Sequence, residues 1–177
     1  MLSPIPANES DRLAALEEFE ILDTQAEKVF DDLTRLASYI CKTPIALITL
    51  LDSDRQWFKS KIGITQNETS RDVAFCAHAI MQTDTFIVPN ALADERFRDN
   101  PLVTGETGLR FYAGSPLTTS DGYKLGTLCV IDKIARDLSD GQLAGLRALS
   151  FQVTTQLELR REIARLKKAL ASAGEHT

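Results

Sequence analysis

The spacing of apolar and polar residues changes along the chain and predicts helices at both ends with strands between them. Apolar side chains recur at helical spacing over residues 25–41, which predicts an amphipathic helix. Thr24 and Glu27 have the spacing of a capping box, so this helix is expected to begin there. A weaker helical pattern, over residues 13–19, precedes it.

After Pro44 the period changes to that of strands. Residues 45–51 are apolar at successive positions, as in a central strand that is covered on both faces. Residues 55–62 alternate instead and predict an antiparallel neighbour with one wetter face. The alternation predicts Phe58 and Ile62 on one face, and Trp57, Lys59 and Lys61 on the other.

The middle of the chain is less regular. It predicts a short helical stretch over residues 70–82 and a short strand over residues 86–89. Residues 90–109 show no steady period, which is long for a loop in a compact domain. The segment has apolar positions that can pack onto a sheet, and it is expected to act as a lid over a pocket, the alternative being a structured surface loop. These apolar positions are Leu92, Phe97, Leu102, Val103 and Leu109.

Two more strands, 111–119 and 123–132, flank the sequence Ser120-Asp121-Gly122, a strong signal for a hairpin turn. Ser139 and Gln142 then form a second capping box, which begins a long helix. This order of elements predicts an α+β fold, in which helices pack on one face of an antiparallel sheet. Near its end the helix has an apolar seam at heptad spacing that needs a partner, and this predicts a homodimer. The seam comprises Leu159, Ile163, Leu166 and Leu170.

Composition narrows the range of functions. The formal net charge is −5, which argues against nucleic acid or an anionic membrane as a partner. No apolar run approaches the length of a membrane span. The three cysteines are widely spaced and include no Cys-x-x-Cys, as expected of reduced thiols in a cytoplasmic protein.

Few residues are suited to catalysis. The chain has two histidines, His78 and His176, and His176 is expected in a frayed tail. Cys76 and His78 are two residues apart, an offset that points them in different directions on a helix. One histidine and three scattered cysteines do not match the spacing of zinc ligands. The glycine-rich loops that bind nucleotide phosphates are also missing. The sequence therefore predicts neither an enzyme nor a metal or cofactor site.

Read together, these segments resemble the bacterial GAF domains that precede histidine kinase, diguanylate cyclase and similar output modules. The blocks that carry the resemblance include Ile21-Leu22-Asp23-Thr24, Asp54-Arg55-Gln56-Trp57-Phe58-Lys59-Ser60, Ala74-Phe75-Cys76-Ala77-His78-Ala79-Ile80, Val88-Pro89-Asn90-Ala91, Arg110-Phe111-Tyr112-Ala113-Gly114 and Gly126-Thr127-Leu128-Cys129-Val130-Ile131-Asp132.

The resemblance implies an antiparallel sheet of five or six strands, with helices on one face, a ligand pocket under loops on the other, and a long C-terminal helix. It implies a sensory domain over residues 1–158 and a signalling or coiled-coil helix with a frayed tail over residues 159–177. The motif set of the cyclic-nucleotide members is missing, and the cysteine is not placed as in the bilin members. The expected pocket residues are Cys76, His78, Asp94, Arg96, Arg110, Tyr112, Thr127 and Cys129.

Three functions follow as alternatives. The first is a non-catalytic sensor, which binds an unidentified small ligand and passes its state through the C-terminal helix to an output kinase or cyclase. The second is a thiol-dependent reductase of a small oxidised metabolite, similar to the methionine-sulfoxide-reducing members of the family. The third is a dimerisation module with a vestigial pocket. Arg110 is the expected anion-binding residue, since a guanidinium can hold a carboxylate or phosphate in bidentate fashion; the alternative is an Arg–Asp pair that holds residues 90–109 shut.

Overall fold

A computed structural model describes residues 3–174; His176 and the rest of the predicted tail lie outside them. The helices of this part of the chain are α1 (Glu9–Glu18), α2 (Lys28–Cys41), α3 (Phe75–Ala79), α4 (Pro101–Thr104) and α5 (Asp140–Gly174). The strands are β1 (Ile45–Leu51), β2 (Arg55–Ile62), β3 (Glu68–Ser70), β4 (Phe86–Val88), β5 (Phe111–Thr118) and β6 (Lys124–Asp132). Within residues 3–174, each helix is too short or too polar to span a membrane.

The six strands form one antiparallel sheet in the order β3-β2-β1-β6-β5-β4. Strand β1 lies near the middle, and each of its residues is buried, as its continuous apolar sequence predicts. Strands β5 and β6 form the predicted hairpin, and Gly122 in its turn has a φ of 87°. The predicted α+β fold, with its antiparallel sheet and long C-terminal helix, is confirmed.

Helices α1, α2 and α5 pack on one face of the sheet, which we name the helix face. Helix α3 and the segment 90–109 cover the other face, which we name the loop face. Helix α5 begins at the predicted capping box, in which the Ser139 amide donates to Gln142 Oε1 and the Gln142 amide donates to Ser139 Oγ. The helix continues without a break past residue 158, where the resemblance implies the end of the sensory domain.

The end of α5 is held against the N-terminal part of the chain by ion pairs. Arg165 pairs with Glu18 at 2.9 Å, and Lys168 pairs with Glu20. Arg160 donates to the backbone carbonyl oxygens of Phe19 and Glu20. The predicted apolar seam stays uncovered in the single chain. Its side chains, Leu159, Ile163, Leu166 and Leu170, are between 51% and 74% exposed.

The predicted alternation of β2 is wrong because the strand contains a β-bulge. Ile48 pairs with Ser60 and Thr49 pairs with Phe58, so that Lys59 is the extra residue. Beyond the bulge, the side chains of β2 therefore point to the faces opposite to those that the alternation predicts. Phe58 packs in the loop-face core, whereas Ile62 packs against the helix-face core.

Lys59 does not lie on a wet face either, since its side chain is 0% exposed. Its ammonium donates to Thr24 Oγ1, the Gln25 carbonyl and Glu27 Oε1 at 2.6–2.9 Å. This explains why the predicted capping box at Thr24 does not form. Helix α2 begins at Lys28, and Thr24 Oγ1 donates to the Ile21 carbonyl instead.

Two predictions for the middle of the chain are corrected. Residues 70–82 contain the end of β3, one turn of 3₁₀ helix over Arg71–Val73 and the five-residue α3, rather than one helical stretch. In the segment 90–109, Leu92 is 48% exposed and does not pack on the sheet. The other predicted apolar positions do pack there: Phe97, Leu102, Val103 and Leu109.

Candidate functional site

The loop face is closed by an aromatic cluster beneath α3 and the segment 90–109. The rings of Phe75 and Phe97 stack with their centroids 4.0 Å apart. Tyr112 of β5 lies 5.3 Å from Phe75, and Phe86 of β4 lies 6.1 Å from Phe97. The space between sheet and loops is thus filled by side chains in this conformation, and a ligand there would have to displace part of the cluster.

Four of the expected pocket residues meet beneath these rings. Cys76 Sγ accepts hydrogen bonds from Thr127 Oγ1 at 3.0 Å, Tyr112 Oη at 3.2 Å and Thr49 Oγ1 at 3.3 Å. The thiol of Cys129 lies 4.0 Å from the same sulfur. We name this group the hydroxyl–thiol cluster: Thr49, Cys76, Tyr112, Thr127 and Cys129. Each of its side chains is buried, with no more than 2% of the residue exposed.

Strand register explains how residues distant in sequence reach this cluster. Thr49 and Thr127 are direct partners across the β1–β6 pair, and Cys129 lies two residues further along β6. Side chains two residues apart lie on the same face of a strand, so all three face the loops. Gly126 lets the two strands approach, because a Cβ at this position would lie 1.8 Å from the Thr49 carbonyl oxygen.

The cluster differentiates the two thiols. Burial by itself would raise the pKa of Cys76, but the hydrogen bonds that converge on its sulfur outweigh that effect and lower the pKa. Burial and the neighbouring Cys76 raise the pKa of Cys129. A lowered thiol pKa is a requirement for nucleophilic chemistry. Neither sulfur is accessible in this conformation, however, so the cluster cannot act on a substrate until the loop face opens.

His78, Asp94 and Arg96 form a second group, at the edge of the loop face. The Arg96 guanidinium lies 5.0 Å from the ring of Phe86 and pairs with Asp94 at 2.6 Å. His78 packs edge-on against Phe97, with ring centroids 4.8 Å apart. Burial and the charge of Arg96 lower the pKa of His78. Asp94 and Arg96 also line a shallow surface depression of 560 Å³.

Arg110 lies apart from both groups, immediately before β5. Its guanidinium donates to the carbonyl oxygens of Val103 at 2.9 Å and Leu109 at 3.0 Å. The alternative expectation, that Arg110 holds the segment 90–109, therefore has support in the contacts. The acceptors are backbone carbonyls rather than an Asp side chain.

A further cleft, which the sequence did not predict, lies beside α2 on the helix-face edge of the sheet. It has a volume of 670 Å³ and is lined by Trp57, Lys59, Ser60, Asp31 and Arg35, among others. Ser60 donates to Asp31 at 2.6 Å. The sequence predicts Lys59 on the wetter face of β2, and only the bulge reveals which face this residue occupies. Among residues 3–174, no group of three or more histidine, cysteine or acidic side chains is placed to hold a metal ion.

Comparison with known proteins agrees with this architecture. The family model described as GAF domain matches residues 25–157, which include β1 to β6 and the first half of α5. The chain therefore belongs to the GAF domain family.

The chain is similar to individual proteins in sequence or in structure. It is 46% identical over 133 residues to a cyclic di-GMP phosphodiesterase of Pseudomonas aeruginosa, a match that covers 75% of this chain but only 23% of that protein. The GAF domain of the Acinetobacter phosphoenolpyruvate-protein phosphotransferase superposes with a TM-score of 0.65 and 18% identity, covering 90% of this chain and 98% of that one. The blue-light absorbing PixJ GAF domain of Thermosynechococcus elongatus has a TM-score of 0.62 and 13% identity, covering 98% of this chain and 99% of that one.

Proposed function

We propose that this GAF domain is a non-catalytic sensory module, which binds a small molecule on its loop face. The observation that carries the proposal is the hydroxyl–thiol cluster. In this cluster, polar side chains are buried among aromatic rings and hydrogen-bond to one another. Buried polar groups require hydrogen-bond partners. A polar ligand can replace the bonds that these side chains make to one another, so that each group stays hydrogen-bonded.

Strand β5 links this cluster to the output helix. Tyr112 belongs to the cluster, and three residues later Ser115 Oγ donates to Ser150 Oγ of α5 at 3.1 Å. Ser150 Oγ also donates to the Pro116 carbonyl at 3.1 Å. A ligand that moves Tyr112 would therefore move the strand to which α5 is bonded. The regulated output would be a kinase, a cyclase or, by analogy with the Pseudomonas relative, a cyclic di-GMP phosphodiesterase.

Native mass spectrometry of the purified protein, followed by a thermal-shift screen of small metabolites, tests whether the domain binds a small molecule. A ligand at ~100 times its dissociation constant stabilises the protein by ~2.7 kcal/mol. We expect the shift to be lost in Tyr112→Phe, which keeps the ring and removes the hydroxyl. Ser60→Ala, on the opposite face, is the control. A hit that Tyr112→Phe binds as well as the wild type does would contradict a site at the cluster.

The thiol-dependent reductase is the second candidate, favoured by the 4.0 Å separation of the Cys76 and Cys129 sulfur atoms. Alkylation of the cysteines under native conditions distinguishes the reductase from the sensor. A reductase requires a thiolate that reacts quickly in the folded protein. The sensor proposal expects Cys76 and Cys129 to react only at the rate at which the loop face opens, and Cys41 only at the rate at which the helix-face core opens.

The homodimer is also a proposal, based on the exposed apolar seam of α5. Truncation after Leu157 would also remove the Arg160 contacts to Glu27 and Phe19. Leu159→Glu with Leu166→Glu is therefore the cleaner variant, and Lys167→Glu is its control. We expect the double variant to sediment as a monomer, whereas a dimer that persists would exclude this seam as the interface. The domain boundary at residue 158 and the cytoplasmic location stay predictions.

A further inference from the structure

Two buried arginines share one carboxylate near the N-terminus. Arg12 donates to both oxygens of Glu9, from Nε at 2.8 Å and from Nη2 at 2.6 Å. Arg71 Nη1 donates to the same Oε1 atom at 2.6 Å and to the Asp52 carbonyl at 2.7 Å. The two guanidinium side chains are 1% and 5% exposed. Glu9 thus joins Arg12, three positions away, to Arg71, 62 positions away.

The charges of this group do not balance. Burial acts to raise the pKa of Glu9, but the hydrogen bonds from Arg12 and Arg71 and their charges lower it to about 2, so the carboxylate is ionised. One negative charge then faces two positive charges. A buried charge without a counter-charge is costly unless another partner offsets it.

Hydrogen-bond donors are in excess as well. Arg12 Nη1 and both Nε and Nη2 of Arg71 are buried and have no acceptor among residues 3–174. Glu9 occupies the Nε and Nη2 edge of Arg12, so Nη1 is the donor that this guanidinium has left for another acceptor. A buried donor without an acceptor costs about 1–3 kcal/mol, and more when it is charged. Charge and hydrogen bonding thus call for the same kind of partner, an anion.

A cleft lies against this group. It has a volume of 240 Å³ and lies between residues 6–8, the end of α3 and the β5–β6 turn. The charged side chains that line it, Arg12 and Lys124, are both positive. Its volume is below the range of about 300–1,000 Å³ found for pockets that hold drug-sized ligands. The cleft therefore suits a small ion or the terminal group of a larger ligand.

We propose that this cleft binds an oxyanion, a carboxylate or a phosphate group, through the Arg12 guanidinium and the Lys124 ammonium. Arg71 is a positioning residue, since it shares Glu9 and leaves the charge of Arg12 available to the anion. The site is separate from the hydroxyl–thiol cluster, and the inference goes beyond the sensory function proposed above.

Inorganic phosphate and acetate are the probes, each titrated by calorimetry and by thermal shift against sodium chloride at equal ionic strength. Saturable binding of phosphate alone identifies a phosphate site, and saturable binding of acetate alone identifies a carboxylate site. Binding of both shows a site that accepts either group. If neither probe exceeds the effect of sodium chloride, the proposal is wrong.

Three variants locate the binding. Lys124→Ala is expected to weaken it about tenfold, the loss of one charge-assisted hydrogen bond. Lys133→Ala, just beyond the opposite end of β6, is the control and should bind as the wild type does. Glu9→Gln is expected to bind the anion more tightly, because it removes the competing negative charge, a result that a merely structural role would not produce. Equal affinity in Lys124→Ala, Lys133→Ala and the wild type would overturn the assignment.

Discussion

The two faces of the sheet are built from alternate residues of the same strands, yet they differ in chemistry. On the helix face, Ile48 and Leu128 belong to a core of aliphatic and aromatic side chains held between the sheet, α2 and α5. On the loop face, Thr49 and Thr127, the residues adjacent to these two in sequence, belong to the hydroxyl–thiol cluster. Both layers are buried to the same extent, since each of these four residues is 0% exposed.

Because of this difference, one face of the sheet is suited to stabilising the fold and the other is suited to changing its contacts. Apolar packing is non-directional, and its contribution depends on how well the space is filled. A hydrogen-bonded cluster depends on geometry and can be satisfied by more than one set of partners. The helix face is therefore suited to holding α5 in place, and the loop face is suited to changing in response to a ligand.

The largest expected effect tests the helix face. Leu128→Ala removes a fully buried side chain from the helix-face core and should lower the free energy of unfolding by about 2–5 kcal/mol. Urea denaturation followed by circular dichroism measures it. A loss below about 1 kcal/mol would show that this face can repack, and the contrast between the faces would fail.

The neighbouring residue on the same strand provides the matched test of the loop face. Thr127→Val keeps the shape of the side chain but removes a hydroxyl that donates to Cys76 and contacts Thr49. We expect a loss of about 1–2 kcal/mol, smaller than for Leu128→Ala. The pKa of Cys76 should also rise, because a donor that lowers it is gone. The urea-unfolding free energy should therefore increase less between pH 7 and pH 9 in the variant than in the wild type, because the pKa difference between the folded and the unfolded thiol is smaller.

The segment 90–109 is expected to open locally when its clamp is removed. Arg110→Ala removes the two bonds to the Val103 and Leu109 carbonyls and should cost about 1 kcal/mol or less overall. Amide exchange should increase in residues 100–109 and remain unchanged in β1. Uniform exchange throughout the chain would instead indicate a global role for Arg110. Arg98→Ala, in the same segment and half exposed or more, is the control.

The smallest expected effect is a pH dependence that arises on the loop face. The pKa of His78 is lower in the folded state than its unfolded value of about 6.5, so its contribution to stability is complete above that value. Stability should fall as the pH drops from about 6.5 toward the folded pKa. In His78→Phe, which keeps a ring against Phe97, the melting temperature should vary less over this interval. An unchanged pH dependence would show that other groups cause it.

The sequence predicted the fold well where local signals decide the structure. The β5–β6 turn required a residue at positive φ, and Gly122 provides it. The capping box of Ser139 and Gln142 forms because both partners belong to the same helix turn. Such features depend on residues a few positions apart, and sequence patterns report them directly.

The errors arose where a distant residue decides the outcome. Thr24 and Glu27 have the spacing of a cap, but the ammonium of Lys59, more than thirty positions away, binds both of them. The bulge that places Lys59 there leaves no periodic signal of its own. The site was affected in the same way. The structure brings together four of the pocket residues that the resemblance implied, and their role in binding stays a prediction: Cys76, Tyr112, Thr127 and Cys129. The carboxylate that Arg12 and Arg71 share has no local sequence signal and required the structure.

The continuity of α5 sets a rule for anyone who joins another domain to its end. The helix spans 35 residues and is bonded to the sheet through Ser150 and to Glu18 through Arg165. Each residue of an α-helix adds about 1.5 Å of length and about 100° of rotation. Inserting or deleting one residue beyond Lys168 would thus turn an attached domain by more than a quarter of a circle. Chimeras spaced by seven residues should preserve its orientation, while intermediate spacings should invert or abolish the coupling between the two domains.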